Sequence, residues 1–238
     1  MKKRIIIGAD YGGLSAAALA AKRGYSVKVI DKNSQTGGRS QLLKKDGFTF
    51  DMGPSAFLLY IGTDKKVDTI LHHNLYLAEN WKDYFDTIFR NPSMPENPSY
   101  YVSATSKTDS TAPEGCENVF VLVPIASGIE DNDSIRKEYS EKIIKHMSKT
   151  MKFDFEKHIR IKEIFSINDF KREYNSYKGT ALGLSHALMQ TAIFRLPYKS
   201  KKVDNHFYTG HYTHPGIGIP MVTISSKVLV DYIARIYG

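Results

Sequence analysis

Three short stretches of this 238-residue chain carry residue types and spacings suited to a phosphorylated ligand. The first is Gly8-Ala9-Asp10-Tyr11-Gly12-Gly13, set directly after Ile5-Ile6-Ile7. In a dinucleotide turn the first glycine makes the bend, the second lets the backbone approach the pyrophosphate, and the third lets the helix pack closely on the strand. Gly8 and Gly13 stand at the first and third places, and Gly12 adds slack at a different one. Asp10 occupies the second place. A carboxylate there crowds the phosphates and repels them at a helix N-terminus that would otherwise favour an anion. The second stretch ends at Asp31, close to the spacing of about 20 residues expected for an acid that bonds a ribose 2′-OH. Such an acid also argues against NADP, whose 2′-phosphate it would repel. The third is Gly37-Gly38-Arg39, where Arg39 could pair with a phosphate. Each has a bland alternative (a plain βα turn, a turn-forming Asp, a second glycine turn). Together they point to dinucleotide binding.

The elements that must position these residues follow the same order. Arg4 to Ile7 reads as a buried strand, Leu14 to Arg23 as an alanine-rich helix closed by Gly24, and Ser26 to Ile30 as a second strand. This is a βαβ unit. Phe48 to Asp51 is a short strand ending at Gly53-Pro54. Tyr100 to Ala104 and Val119 to Ile125 read as strands joined by a loop. Asp133 or Ser134 can cap a helix whose stripe of Ile135, Tyr139, Ile143, Met147 and Met151 suits core packing. Ile159 to Ile164 alternates like a strand, and Asn168 can cap a helix running toward Gly179. Ala181 to Phe194 reads as a buried helix and Phe207 to Thr209 as a short strand, and Ser225 or Ser226 can cap a last helix to about Ile236. The alternation at both ends argues for an α/β fold.

Composition narrows the classes. The chain is 42% hydrophobic and 24% charged, an ordinary globular mix, and its formal charge of +8 reads first as a solvated, lysine-rich surface. The sharper reading of that charge, attraction to anionic lipid, stays open. The basic residues are scattered and no zinc-finger or RNA-binding signature is present, so nucleic acid is not an expected partner. The single cysteine, Cys116, excludes an internal disulfide and suits a reducing compartment such as the cytoplasm. It has no evident histidine partner for nucleophilic work. No segment approaches the roughly 20 apolar residues of a membrane span. His206, His211 and His214 lack the cysteine or paired acids that would complete a metal set. His72 and His73, as strand neighbours, should point to opposite faces.

With these residues in hand, the chain resembles the phytoene desaturase (carotenoid desaturase) family of FAD-dependent oxidoreductases. The stretch from "IIIGADYGGLSAAALA" through "VIDKNSQTGGRS" to "DGFTFDMGPS" carries the family's strand, glycine turn, ribose acid and GGR turn in order. Asp31 stands where the family more usually has Glu. "FLLYIGTDKK", "HHNLYLAENWKDYFDTIF", "PSYYVSATSKTDSTAPEGCENVFVLVPIA" and "YKGTALGLSHALMQTAIFR" are similar to its later half, and "FYTGHYTHPGIGIP" to its closing flavin-contact motif. The resemblance covers nearly the whole chain, except that a long family segment is missing between Ser55 and Ala56.

The resemblance implies a Rossmann-like FAD-binding fold with three-layer character and a substrate domain largely missing. Residues 1–55 would be the amino-terminal part of the FAD domain, 56–165 a remnant of the middle region, and 166–238 its carboxyl-terminal part. FAD would be held by Gly8, Gly12, Gly13, Asp31, Gly38 and Arg39, together with Gly210, His214, Pro215, Gly216, Gly218, Ile219 and Pro220. Gly210, Gly216 and Gly218 would allow close approach, Pro215 and Pro220 would stiffen the turn, and a helix from 227 onward would aim its N-terminus at the flavin. The implied reaction is desaturation of an isoprenoid lipid such as phytoene, with peripheral membrane contact. No catalytic acid or base is named. Two other readings stand beside it: a non-catalytic nucleotide-binding remnant or folding module, supported by Asp10 and the missing segment, and an NAD-linked dehydrogenase, which would need neither "GGR" nor "THPG".

Overall fold

A computed structural model describes residues 2–51, 57–184 and 194–237. The chain forms two compact units. The first joins Met1–Gln41 to Leu182–Gly238, and the second is Leu42–Ala181.

In the first unit, β1 (Lys3–Ile7) and β2 (Ser26–Ile30) pair in parallel, connected by α1 (Tyr11–Lys22). The long α6 (Ile219–Tyr237) packs along α1. Small residues permit this: Ala16 and Ala20 of α1 sit buried with Val230 of α6 and Tyr25, and Ile6, Leu19 and Val27 pack against them. Arg23 pairs with Asp231, and Ser226 Oγ donates to the Gly12 carbonyl at 2.8 Å. The two ends of the chain therefore build one body. Among the described residues its helices cover one face of the sheet. The other face bears Ile5 at 66% and Ile7 at 82% exposure, although parallel sheets are ordinarily covered on both.

The second unit, expected as a remnant, is a compact body with its own core. Its sheet runs β6 (His73–Tyr76), β7 (Tyr100–Ser103), β8 (Glu117–Val123), β5 (Phe57–Thr63), β9 (Ile159–Phe165), with each neighbouring pair antiparallel. β5 is buried along its whole length. On one side lies α3 (Asp133–Thr150), which adds Tyr139, Ile143 and Met147 to the core, as the stripe required. Elsewhere the β3 (Leu42–Lys45) and β4 (Phe48–Asp51) hairpin inserts Phe48 and Phe50 beside Tyr60. The helices α2 (Trp81–Phe89), α4 (Phe155–His158) and α5 (Ile167–Tyr174) complete it. Buried carboxylates here are paired. Asp131 and Asp169 share Arg136, and Glu117 meets Lys107 at 2.9 Å. Burial alone would raise the Glu117 pKa, but Ser106, Lys107 and Lys66 outweigh it and hold the carboxyl below its ordinary value.

Several expectations are corrected. The compact units divide at 41/42 and 181/182 rather than at 55/56 and 165/166, because β3–β4 and α5 bury their aromatic residues in the second core. α1 starts at Tyr11, a turn before Leu14, because Asp10 caps it. α5 is opened by Ser166 and Asp169, not by Asn168, whose amides bind Asp131, and Asn175 at φ 50° ends it short of Gly179. α3 is capped by Asn132. Phe207–Thr209 forms no strand, only a bridge from Phe207 to Lys199. The His72 and His73 rings lie 4.1 Å apart instead of on opposite faces, since β6 begins only at His73. The helix read over 181–194, the Gly53-Pro54 turn and the Ser55–Ala56 join fall largely or wholly outside the described residues.

Candidate nucleotide-binding site

The amino-terminal turn begins at Gly8, whose φ of +107° bends the chain out of β1 while its N–H reaches the Ile30 carbonyl at 2.7 Å. That conformation suits glycine alone among common residues. Gly13 performs the close packing expected of the third glycine: a Cβ there would lie 1.9 Å from the Gly8 carbonyl oxygen. Asp10 has an unanticipated role. Its backbone is extended, and its Oδ1 accepts the Gly13 N–H at 2.9 Å. The carboxylate thus caps α1, satisfying a donor that has no partner within the helix. It also occupies the helix N-terminus with negative charge, where an anionic ligand would otherwise sit.

Asp31 lies at the end of β2 as expected, but it faces back onto the turn. One carboxylate oxygen accepts the Ala9 N–H at 2.5 Å and the other the Asn33 N–H at 2.7 Å. These donors, Ala9 first, hold its carboxyl below the ordinary value. The GGR turn comes alongside: the Gly37 N–H donates to the Ala9 carbonyl at 2.7 Å, and a Cβ on Gly38 would meet Asp10 Cβ at 2.6 Å.

The carboxyl-terminal loop meets the same place. A Cβ on Gly12 would lie 3.3 Å from Gly210 Cα and 3.2 Å from Val222 Cγ1. Ser225 and Ser226, expected to cap the last helix, instead lie buried inside α6. Ser225 Oγ accepts the Gly210 N–H at 3.2 Å and meets the Thr213 hydroxyl at 2.6 Å, while Ser226 holds Gly12. The helix therefore starts at Ile219, eight residues before the expected 227, so its N-terminus directly follows Gly218. Pro220 suits that first turn, where its missing N–H costs nothing. The His214–Pro215 bond is cis, Gly216 is buried, and His214, Gly218, Ile219 and Pro220 are exposed at the rim.

Arg39 reaches His211, with its Nη1 at 3.2 Å from Nε2. From elsewhere in the unit Arg195, 4% exposed, donates to the His211 carbonyl at 2.9 Å. Burial first, and the two guanidiniums second, push the His211 imidazole down to about 4. It is neutral at physiological pH, and its cationic surroundings disfavour a metal. The positive charge is also not scattered: the first unit holds fourteen Lys and Arg against four Asp and Glu. That excess draws anions to it.

The structure thus brings Gly8, Gly12, Gly13, Asp31, Gly38 and Arg39 together with Gly210 and Gly216 in one unit. Sequence reasoning missed Arg195 and the inward roles of Ser225 and Ser226. A signal existed for the serines, since two small hydroxyl residues amid an apolar helix invite close packing. Arg195 carried none.

The NAD(P)-binding Rossmann-like domain family matches residues 6–73. A carotenoid 3,4-desaturase of Haloarcula japonica is 46% identical over 175 residues, covering 73% of this chain and 35% of the relative. A 4,4'-diaponeurosporene oxygenase of Staphylococcus haemolyticus is 30% identical over 188 residues, covering 77% and 37%. A 1-hydroxycarotenoid 3,4-desaturase of a Flavobacterium species is 30% identical over 181 residues, covering 75% and 37%. The chain spans little more than a third of the length of these curated relatives, in keeping with the shortening expected from sequence. Its first unit carries a Rossmann-type nucleotide-binding domain.

Proposed function

Because the chain belongs to the carotenoid desaturase family, we propose that it is a shortened flavin-dependent oxidoreductase, whose first unit binds FAD and whose parent reaction desaturates a carotenoid precursor such as phytoene. The observation that carries this reading is the meeting of the two glycine turns, Gly12 against Gly210, inside one compact unit. The FAD reading calls on both, and they come from opposite ends of the chain.

The residues fit the cofactor part by part. The α1 N-terminus and Arg39 would hold the pyrophosphate, and Asp31 the adenine-side ribose. The loop from Gly210 to Pro220, with the α6 N-terminus behind it, would hold the ribityl and isoalloxazine. FAD, when bound, supplies the hydride acceptor for an allylic carbon. The protein's part is to orient that ring and keep water from it. Arg39 and Arg195 add positive charge, and the neutral His211 between them withholds its own. An isoprenoid substrate partitions into lipid, so the chain would meet it in peripheral contact with a membrane. Among the described residues no helix is long and apolar enough to cross one.

A titration of the purified chain with FAD, followed by flavin fluorescence and visible absorbance, tests the reading. One FAD per chain is the expected result. A colourless protein that ignores FAD removes it, and a protein that takes NAD instead selects the dehydrogenase reading. One observation favours the non-catalytic alternative, in which the fold persists without flavin: Asp10 fills the phosphate end of α1 with its own carboxylate.

A further inference from the structure

We propose that Arg195 is a positioning residue for the carboxyl-terminal glycine turn, fixing from behind the backbone that this turn presents to the dinucleotide. The inference rests on the FAD reading of the site and adds to it a residue that need not touch the cofactor.

The geometry is a clamp on both ends of one loop. At the near end Arg195 Nη1 donates to the His211 carbonyl at 2.9 Å. At the far end its guanidinium fills the notch beside Gly216, where a Cβ would lie 3.0 Å from both Cζ and Nη2. Gly216 stands at φ +128°, so a side chain there would be strained as well as crowded. Between these points Thr213 is buried and bonded to Ser225 and to the Gly210 carbonyl, and Tyr198 donates to the His214 carbonyl. The loop is thus tied to α6 on one side and to Arg195 on the other.

An arginine suits this task. Its planar fork can serve a carbonyl and lie flat in a glycine notch at once, whereas a lysine offers one ammonium on a flexible stem. It also cannot lose its proton, so the clamp holds at every physiological pH. The same guanidinium faces His211 together with Arg39, and Tyr212 lies against the ring at 4.2 Å between centroids. The His211 imidazole, held down first by burial and then by Arg39 and Arg195, therefore senses the Arg195 charge in part.

The test compares the full chain with Arg195→Gln and Arg195→Lys. In each protein His211 is titrated by imidazole NMR without cofactor, and FAD affinity is measured by fluorescence. The wild-type imidazole, pushed down to about 4 by burial and the two guanidiniums, should titrate there. Arg195→Gln should raise that value only in part, since burial and Arg39 remain, and weaken FAD binding at least tenfold. Arg195→Lys should keep the low titration and recover part of the affinity. Unchanged titration together with wild-type affinity in Arg195→Gln overturns the proposal. If Arg195→Gln does not fold, Arg195→Lys carries the test: weaker FAD affinity in that folded variant, whose charge is kept, supports the clamp, and wild-type affinity overturns it. If the wild type binds no FAD, the functional reading falls, and the His211 titration alone then decides the placement of Arg195.

Discussion

Replacing Asp10 by glycine should tighten FAD binding by about tenfold or more. In the structure Asp10 Oδ1 takes the Gly13 N–H at 2.9 Å, the donor that a pyrophosphate at the α1 N-terminus would use. A hydrogen bond to a charged group contributes about 1.5–3 kcal/mol net, and each 1.4 kcal/mol is about tenfold in Kd. Relief of charge repulsion adds to this. Two unit charges about 4 Å apart repel by about 4 kcal/mol at an effective dielectric near 20, less where water reaches them. The gain therefore should not fall below about tenfold. The penalty to the fold is small, because glycine at an N-cap costs only a few tenths of a kcal/mol relative to Asp, and the extended backbone of Asp10 is open to glycine. Fluorescence or calorimetric titration of wild type, Asp10→Gly and Asp10→Asn reads the effect. Asp10→Asn keeps a capping oxygen and removes the charge, so it should fall between the two and separate repulsion from donor release. An Asp10→Gly variant whose affinity stays within twofold of wild type would refute the argument that Asp10 and phosphate compete for one donor.

Further expectations follow from the same geometry. Gly13→Ala should destabilise the first unit by about 3 kcal/mol in denaturant unfolding, because its Cβ would overlap the Gly8 carbonyl. His211 binds its proton at about 4 when folded and near 6.5 when unfolded, so the unfolded state takes up the proton first. Stability should therefore fall as pH drops from about 6.5 to 4, by at most about 3 kcal/mol at 1.36 kcal/mol per unit, and His211→Gln should flatten that slope in unfolding curves at pH 7 and 4.5. Asp31 is depressed below 3.8 by the Ala9 and Asn33 N–H groups. Its contribution is complete above about 3.8 and is lost as pH falls through the depressed value, a loss that Asp31→Asn should lack in acid titrations followed by circular dichroism. Arg136→Ala leaves Asp131 and Asp169 buried without their shared guanidinium. It should cost the second unit about 3–5 kcal/mol, read as a lower denaturant midpoint.

What the sequence determined by itself was local. The branched run before Gly8, the alanine-rich helix and the acid after the next strand specify a βαβ turn, because backbone sterics and period dictate them within thirty residues. The Tyr139–Ile143–Met147 stripe named a core helix for the same reason. What only the tertiary structure decided was which distant groups share a donor, a notch or a charge. Asp10 read as an intruder on phosphate and proved also to be the cap of α1, a role visible only once the Gly13 N–H is placed. Ser225 and Ser226 read as a helix start, yet the helix begins at Ile219 and turns both hydroxyls inward to Gly210 and Gly12. Arg195 read as nothing, since its meaning depends on a glycine twenty-one residues later and on a histidine whose ring Arg39 reaches from the other end of the chain. Spacing along the chain fixes periodicity and turn chemistry. Close packing between distant segments fixes which polar group answers which, and no periodic signal carries that.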